Sequence, residues 1–443
     1  MITRRALLRG LAAAPFAARS ALLAQQTPAP RVDGAALRRR IEALSAFGRP
    51  PGGTFADGVS RTAYSDADVA GRRYVIDLMK AAGLRPRVDP AGNIFGWRDG
   101  AAADGRPILF GSHIDSVPSG GNFDGDLGSL AALGVMDALA AAGARTRHPL
   151  EVVVWAHEES YAFGRGLACS RIAAGDVSPA DMDEVWNGMR RADAIRRIGG
   201  DPSRIHEARR AKGSHHAYVE LHIEQGGTLE RASVPIGIVE GIVAIDRYDV
   251  TITGVANHAG TTPIPERHDA MLAAAHLTVA VRDAATRTPG RQVATVGRIE
   301  VTPNSPNVIP GLVRLTVELR DLSPPKLAAM ADDIRARARD IEQTTKTAIE
   351  FRRLADAAPA SATPEVQGAI ERAASAMKLT TMRLPSGAGH DAQMMARLGP
   401  MGMIFVPSVG GVSHSPKELT RWEDCSRGAD VLLRTVLEMD RLS

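Results

Sequence analysis

Five residues of types that commonly bind metal ions stand near the ends of strand-like runs, far apart along the chain: His113, Asp124, Glu159, His222 and His414. His113 closes the apolar run 107–112, and His222 follows the run 217–221. Ligands at the carboxyl ends of strands in an open α/β sheet converge on one crevice. Three imidazoles and two carboxylates are too few for two separate metal sites. They suit two adjacent cations that share one bridging carboxylate.

The other three positions fit the same scheme. Asp124 lies in the loop 120–125, just before a helical stretch, and His414 follows the apolar run 403–406 and a Gly-Gly turn. Glu159 follows the strand-like run 151–156 and has a second carboxylate, Glu158, beside it. Neighbouring residues at a strand end can point in different directions, so one can bind metal while the other holds an attacking water. The alternative is that each of the five is an ordinary polar residue of a loop. Their combination favours metal binding.

Eight segments of the chain carry a resemblance to a known family: residues 111–118, 121–128, 158–159, 221–226, 256–263, 303–311, 386–392 and 413–416. Together they resemble the hydantoinase/carbamoylase group, which comprises N-carbamoyl-L-amino-acid hydrolases and allantoate amidohydrolases. This group belongs to the binuclear metallopeptidase-like amidohydrolases. The resemblance extends from about Leu37 to Leu442. Each segment alone is weak, but eight in the same order are specific.

The resemblance implies a role for each residue of the metal site. Asp124 would bridge two divalent ions per subunit, with His113 and His222 on one ion and Glu159 and His414 on the other. The mixed nitrogen and oxygen ligands do not choose among zinc, manganese, cobalt and nickel. Asp115 would orient the His113 imidazole from the second coordination shell. Glu158 would act as the general base.

The resemblance also implies how a substrate with a carboxylate is bound. His258 would reach the active site of the partner subunit of a homodimer and stabilise an oxyanion. Arg320 would grip the substrate carboxylate, which suits a planar bidentate donor. The alternative is that Arg320 pairs with Asp321 or another surface acid. Four further positions match residues that contact amide, ureido or carboxylate groups: Gln225, Asn307, Gly389 and His390.

One departure from the family falls next to the general base. The family usually continues Glu-Glu with Gly-x-Arg-Phe, whereas this chain has Ser160-Tyr161-Ala162-Phe163. Metal binding should survive because it uses Glu159. The surroundings of Glu158 should differ, which leaves the fine substrate preference open. Arg165 could replace the missing guanidinium.

The order of strand-like and helical runs predicts a two-part α/β fold for these 443 residues. Residues 37–240 and 356–443 read as a mixed-sheet catalytic domain of the zinc-aminopeptidase type, which binds the metals. Residues 241–355 show a β-α-β-β-α-β order, typical of a ferredoxin-like inserted domain. In the resembling family this insert serves as a lid and dimerisation domain.

The first 24 residues resemble a twin-arginine export signal, with Arg4-Arg5 before a short apolar stretch, and residues 25–36 read as a linker. We therefore expect a periplasmic or secreted protein. The formal net charge of +4 comes from four arginines in that segment, and the remaining chain is neutral. This gives no electrostatic reason to expect nucleic acid or an anionic membrane as partner. No apolar run is long enough to span a membrane. The two cysteines, Cys169 and Cys425, are expected to be buried and unpaired.

These observations predict an amidohydrolase that cleaves a linear carbon–nitrogen bond other than a peptide bond. The favoured substrate is an N-carbamoyl-L-amino acid or a related ureido acid such as allantoate or ureidopropionate, giving an amine, carbon dioxide and ammonia. An aminoacylase or dipeptidase of the same superfamily is the alternative. His222 argues against it, since the peptidase branches usually place a carboxylate at that position. A non-catalytic binding protein of this fold is the remote alternative, and it would be expected to lose Glu158 or a ligand.

Overall fold

The computed structural model describes residues 30–102 and 105–442, so the predicted export signal lies outside the described residues. The chain up to Ile242 alternates helices with strands. Its helices are α1 (Gly34–Leu44), α2 (Asp66–Ala81), α3 (Asp126–Ala141), α4 (Ala168–Ala173), α5 (Arg191–Arg197) and α6 (Thr228–Ala232). Its strands are β1 (Arg85–Val88), β2 (Ile94–Arg98), β3 (Ile108–His113), β4 (Leu150–Trp155), β5 (Val185–Trp186), β6 (Met189–Arg190), β7 (Ala217–Ile223) and β8 (Ile236–Ile242).

A second unit then interrupts this alternation. It consists of β9 (Ala244–Thr253), β10 (Asn257–His258), α7 (Ala270–Thr286), β11 (Val293–Thr302), β12 (Val308–Ile309), β13 (Leu312–Asp321), α8 (Pro324–Thr345) and β14 (Ala348–Ala357). The four long strands form an antiparallel sheet in the order β11-β13-β9-β14. Both helices pack on one face of that sheet and share an apolar core with it. This is the ferredoxin-like arrangement that the sequence predicts.

The chain then returns to the first sheet through β15 (Ala360–Ser361), α9 (Pro364–Ala376), β16 (Thr381–Ser386), α10 (Asp391–Met395), β17 (Met401–Val406) and α11 (Trp422–Arg441). The large sheet has the order β1-β2-β4-β3-β7-β17-β8-β15, and β16 pairs with β8. Strands β4, β3, β7 and β17 are parallel neighbours, whereas β2 is antiparallel to β4 and β8 to β17. The sheet is therefore mixed, as predicted, and its parallel centre points four strand ends in one direction.

Helix α3, which precedes β4, is strongly apolar because of its place in the fold. Nearly every residue of α3 from Asp126 to Leu139 is buried, because the helix packs against β3 and β7 on one side and against α1 and α11 on the other. A helix that is apolar on all sides belongs in a core. Both cysteines are buried and unpaired, as predicted. None of the helices in residues 30–102 and 105–442 has the length and apolarity that crossing a membrane requires.

Candidate metal centre

The four parallel strands bring the five predicted ligands to one end of the sheet. His113 is the last residue of β3, and Glu159 lies four residues beyond β4. His222 lies inside β7, one residue before its end, rather than just after the strand. His414 follows β17 after a short turn. Asp124 lies in the loop that leads into α3.

Asp124 belongs to two groups of potential ligands at once. Its Oδ1 lies 3.6 Å from His113 Nε2 and 3.0 Å from His222 Nε2. Its Oδ2 lies 3.3 Å from His414 Nε2, which is also 3.3 Å from Glu159 Oε1. Within each group the ligand atoms lie within 4.8 Å of one another. One carboxylate thus joins two clusters, each with the donors of a metal site.

The histidines are oriented as metal ligands would be. His113 Nδ1 donates to the carbonyl oxygen of Asp115 (2.9 Å), and His222 Nδ1 donates to that of Ile223 (2.9 Å). These bonds assign the proton to Nδ1 in each ring and leave the Nε2 lone pair facing Asp124. The buried Nε2 of His222 makes no hydrogen bond, although an oxygen of Asp124 is 3.0 Å away. Two facing lone pairs require a cation or a proton between them, so the donor set fits a divalent ion.

Asp115 supports the site differently from the predicted way. Its carboxylate lies 3.9 Å from His113 Nδ1, and the backbone carbonyl of Asp115 holds the ring instead. Both carboxylate oxygens accept backbone N–H groups, from Glu158 (3.1 Å) and from Glu159 (3.1 Å). The side chain of Asp115 therefore fixes the backbone that carries the predicted base and its neighbouring ligand. Its carbonyl orients the imidazole.

Glu158 faces the same crevice but stands outside both ligand groups. Its Oε2 lies 3.9 Å from His113 Nε2. Burial raises the pKa of Glu158 well above its usual value; the nearby carboxylates of Glu159 and Asp391 raise it further, whereas His113 opposes them. A carboxylate that holds a proton this readily is suited to proton transfer near neutral pH.

The ligand cluster binds protons strongly where a cation would otherwise lie. Although burial opposes ionisation, the imidazoles of His222, His113 and His414 hold the pKa of Asp124 well below its usual value. Hydrogen bonds to Asp124 and Glu159 raise the pKa of His414 to about 11. Ligands must lose such protons to bind metal, so metal binding here would release protons.

Two residues that the sequence analysis did not select hold Asp124 in place. Glu418 is buried, and its Oε1 accepts the backbone N–H groups of Phe123 (2.9 Å) and Asp124 (3.1 Å). Ser413 Oγ donates to Asp124 Oδ2 (3.1 Å) or to Glu418 Oε2 (2.8 Å). Burial, and then the charge of Asp124, raise the pKa of Glu418 to about 7. Glu418 lies four residues after His414, and this proximity to a ligand was the one sequence signal for it.

The residue after Asp124 must be a glycine because the ring of His113, a predicted metal ligand, approaches it closely. Gly125 has φ of +67°, and a Cβ there would lie 2.4 Å from the His113 ring. Any side chain would displace the imidazole. The glycine in this loop thus permits the contact between His113 and Asp124.

Of the predicted substrate contacts, Gln225 and His390 lie beside the ligands. Gln225 Nε2 donates to Asp124 Oδ2 (2.7 Å), and its buried Oε1 has no partner within the described part of the chain. The His390 ring stands edge-on to His222 with 4.4 Å between centroids. Its Nε2 lies 2.8 Å from Ser386 Oγ, and burial holds its pKa well below the usual value. Gly389 precedes it in the same loop.

Arg320 is joined to that loop from the inserted unit. Its Nη1 donates to the carbonyl of Gly387 (2.6 Å), and its Nε donates to Glu318 Oε1 (2.8 Å). The pairing with an acid that the sequence analysis left open is therefore present, with Glu318 rather than Asp321. Its contact with Gly387 nevertheless brings the guanidinium to a residue two positions before Gly389.

His258 and Asn307 lie together, away from the ligands of their own chain. The β10–β12 ladder pairs His258 with Val308, and Ala259 N–H donates to the carbonyl of Asn307 (3.0 Å). Across residues 30–102 and 105–442, no hydrogen bond or ion pair joins His258 to the five ligands. Its Nδ1 accepts N–H groups from Gly260 and Thr261, which leaves the proton on an exposed Nε2.

Comparisons with known proteins agree with this geometry. Residues 109–438 match the description "Peptidase family M20/M25/M40". The chain is 40% identical over 409 residues to the N-carbamoyl-L-amino acid amidohydrolase of Geobacillus stearothermophilus, covering 92% of this chain and 99% of that relative. It is 33% identical to the allantoate amidohydrolase of Escherichia coli, covering 90% of this chain and 96% of the relative. A crystal structure of a hydantoinase/carbamoylase family amidase from Burkholderia multivorans superposes with a TM-score of 0.86 at 35% identity, over 93% of this chain and 99% of the other.

Proposed function

This chain belongs to peptidase family M20/M25/M40, within its hydantoinase/carbamoylase amidases, and from that premise we propose that it hydrolyses an N-carbamoyl-L-amino acid or a related ureido acid. The carrying observation is that Asp124 belongs to two ligand clusters, with the carboxylate of Glu158 alongside but outside both. Relatives named for N-carbamoyl-L-amino acids and for allantoate support this substrate class. The chain is thus a hydrolase of non-peptide carbon–nitrogen bonds.

Enzymes of this family use divalent metal ions, and the chain has side-chain groups that could hold them. We propose two ions per subunit, one held by His113 and His222, one by Glu159 and His414, with Asp124 shared. Bound there, the ions would polarise the substrate carbonyl and lower the pKa of water. Zinc, manganese, cobalt and nickel all suit these donors.

The chemical step that we propose depends on Glu158. It takes a proton from water as the oxygen attacks the ureido carbonyl carbon, and its raised pKa suits that transfer. The bond from that carbon to the amino-acid nitrogen then breaks, and Glu158 returns the proton to the departing nitrogen. The released carbamate decomposes to ammonia and carbon dioxide. Asp115 keeps Glu158 in position by binding its backbone N–H.

Groups around the crevice would recognise the two ends of the substrate. The unpartnered Oε1 of Gln225 is suited to accept a hydrogen bond from the carbamoyl nitrogen. Arg320, with the Gly389–His390 loop beside it, would bind the carboxylate. The exposed Nε2–H of His258 is a donor suited to the developing oxyanion, with Asn307 next to it.

We further propose that His258 acts in the partner subunit of a homodimer formed through the inserted unit. Two features support this interface. The outer face of α7 exposes Met271, Leu272 and Val279, and β11 is the edge strand of its sheet with Val293 and Ile299 exposed. An apolar patch beside an open sheet edge is typical of an interaction site. The predicted periplasmic or secreted location, which depends on residues 1–24, is likewise a proposal.

A substrate panel tests this function against its alternatives. The purified protein, loaded with each of the four metals, would be assayed on N-carbamoyl-amino acids, allantoate, N-acetyl-amino acids and dipeptides, while ammonia and free amine are quantified. We expect release of ammonia from ureido substrates, lost on chelation and restored by metal. Hydrolysis of N-acetyl-amino acids or dipeptides alone would establish the aminoacylase or dipeptidase alternative. Binding without turnover of any substrate would establish a non-catalytic protein.

A further inference from the structure

The segment after the metal ligand Glu159 forms a loop that closes on the predicted base. This loop consists of residues 160–167, and we call it the 160–167 loop. At its far end, Leu167 N–H donates to the carbonyl of Glu158 (2.7 Å), and Ala168 N–H donates to that of His157 (2.9 Å). A Cβ on Gly166 would lie 2.7 Å from the Glu158 carbonyl oxygen, so the two arms are packed tightly. The loop is therefore fixed to the same backbone as Glu158.

The loop carries an aromatic cluster on this rigid base. The exposed ring of Tyr161 stands edge-on to Trp186, with 5.3 Å between centroids and 76° between planes. The ring of buried Phe163 also lies beside Trp186, with 6.0 Å between centroids, and the guanidinium of Arg191 lies 4.6 Å from the centroid of the Phe163 ring. Tyr161 is thus a pre-positioned aromatic side chain that remains open to solvent.

Exposure of a large apolar side chain is uncommon in this part of the protein. Outside the inserted unit, the described residues expose three such side chains, Tyr161, Val185 and Leu419. One of them, Tyr161, lies in the aromatic cluster, and a second, Val185, belongs to the β5–β6 hairpin that carries Trp186. Exposed apolar groups that gather at one place beside a site indicate a surface for a ligand.

The same loop reaches the proposed substrate-binding loop through an apolar side chain. A Cβ on Gly389 would lie 3.8 Å from Leu167 Cδ1, so Leu167 is next to Gly389. Ala162 occupies the position of the family arginine and is buried. Arg165, which could have replaced that arginine, lines a surface cavity together with Arg171 and Asp176. The loop therefore meets Gly389 with an aliphatic side chain, and Tyr161 lies six residues earlier on the same loop.

We propose that the 160–167 loop, through Tyr161 held against Trp186 and through Leu167, forms the subsite for the substrate side chain. The enzyme then prefers N-carbamoyl-amino acids with aromatic or large aliphatic side chains over N-carbamoylglycine and over allantoate, whose second ureido group is polar. This inference rests on the proposed ureido hydrolysis, and it adds the side-chain class.

The test measures kcat/KM for three substrates: N-carbamoyl-L-phenylalanine, N-carbamoylglycine and allantoate. Each is assayed with the metal-loaded wild type and with three metal-loaded variants. For Tyr161→Ala we expect kcat/KM on the phenylalanine derivative to fall about tenfold through KM, with the glycine derivative unchanged, because only the former loses an aromatic contact. Tyr161→Phe should keep wild-type values. Arg165→Ala, in the same loop, is the matched control, and kcat/KM for both substrates should stay at the wild-type value.

The outcomes separate this inference from the function on which it rests. No hydrolysis of any ureido substrate by the wild type would overturn the proposed function itself. If the wild type hydrolyses ureido substrates but favours allantoate or the glycine derivative, the side-chain subsite is wrong while the function stands. Equal losses on the phenylalanine and glycine derivatives in Tyr161→Ala would likewise assign Tyr161 a general structural role. A loss in Arg165→Ala that matches Tyr161→Ala would contradict the aromatic contact.

Discussion

At the scale of single residues, the proposed general base and the proposed metal ligands should make separable contributions. Glu158→Gln should keep the metal content and lower kcat by at least about 100-fold, because the side chain stands outside both ligand clusters while proton transfer depends on it. Asp124→Ala should lose metal as well as activity, since both clusters share that carboxylate. Elemental analysis beside steady-state kinetics distinguishes the two. A Glu158→Gln enzyme with most of its rate would mean that another group activates the water.

The proposed contact between Arg320 and the substrate carboxylate gives a second prediction. Losing a hydrogen bond between charged groups costs about 1.5–3 kcal/mol, or roughly tenfold to more than a hundredfold in affinity. Arg320→Ala should raise KM for substrates with a carboxylate by that factor and raise it much less for the matched neutral amides. Arg314→Ala, six residues earlier on the same face of β13, is the matched control. A uniform KM change across charged and neutral substrates would contradict the proposed contact.

The sequence predicted which residues meet in the crevice better than it predicted the hydrogen bonds that hold them there. His113, His222 and His414 could be assigned to one crevice because their distance from strand ends is a local property of the sequence. The supporting bonds of Asp115 and Glu418 could not, because they connect segments that only the folded sheet brings together. Glu418 resembles any surface-loop acid until its contact with the Asp124 backbone, 294 positions away, is known.

At the scale of secondary-structure elements, the inserted unit yields a complementation test. If His258 serves the partner subunit, mixing inactive Glu158→Gln chains with inactive His258→Ala chains creates dimers with one intact site and one site carrying both defects. Activity should then partly return, and sedimentation should show that the active species is the dimer. Confirmed subunit exchange without recovery would mean that His258 acts within its own chain or not at all.

The elements themselves were predictable where they are long and periodic. The β-α-β-β-α-β order expected for residues 241–355 is present, with its two helices as α7 and α8 and its four strands as β9, β11, β13 and β14. The two-residue strands β5 and β6 were not predicted, because so short a ladder has no periodicity in sequence. Yet this hairpin holds Trp186 against the 160–167 loop. Strand order in the large sheet was equally inaccessible, since it depends on contacts between distant segments.

At the scale of the whole molecule, a buried histidine links stability to acidity. His215 is fully buried, neither ring nitrogen has a partner in the described part of the chain, and burial lowers its pKa from 6.5 to about 4. The folded state therefore excludes a proton that the unfolded chain accepts. Stability from neutral His215 should be complete above about pH 6.5 and should decline as the pH falls toward 4.

Urea unfolding at pH 7, 5.5 and 4.5 measures this link. His215→Leu should lose less stability than the wild type over that interval, and the comparison cancels the acid loss of metal that both proteins share. His216, whose pKa burial also lowers and whose ring stacks on that of His148 at 4.0 Å, remains in both proteins. Parallel profiles for the two proteins would exclude His215 as a source of the acid sensitivity.

The position of β17 has a consequence for the biosynthesis of this protein. The strand lies between β7 and β8 in the middle of the large sheet, although it is made some 160 residues after β8. A nascent chain emerging from the ribosome must therefore keep the facing edges of β7 and β8 apart while the entire inserted unit is translated. Chaperone dependence should be concentrated in that interval, and stalled chains that end before Met401 should aggregate, whereas chains released after α11 should mature normally.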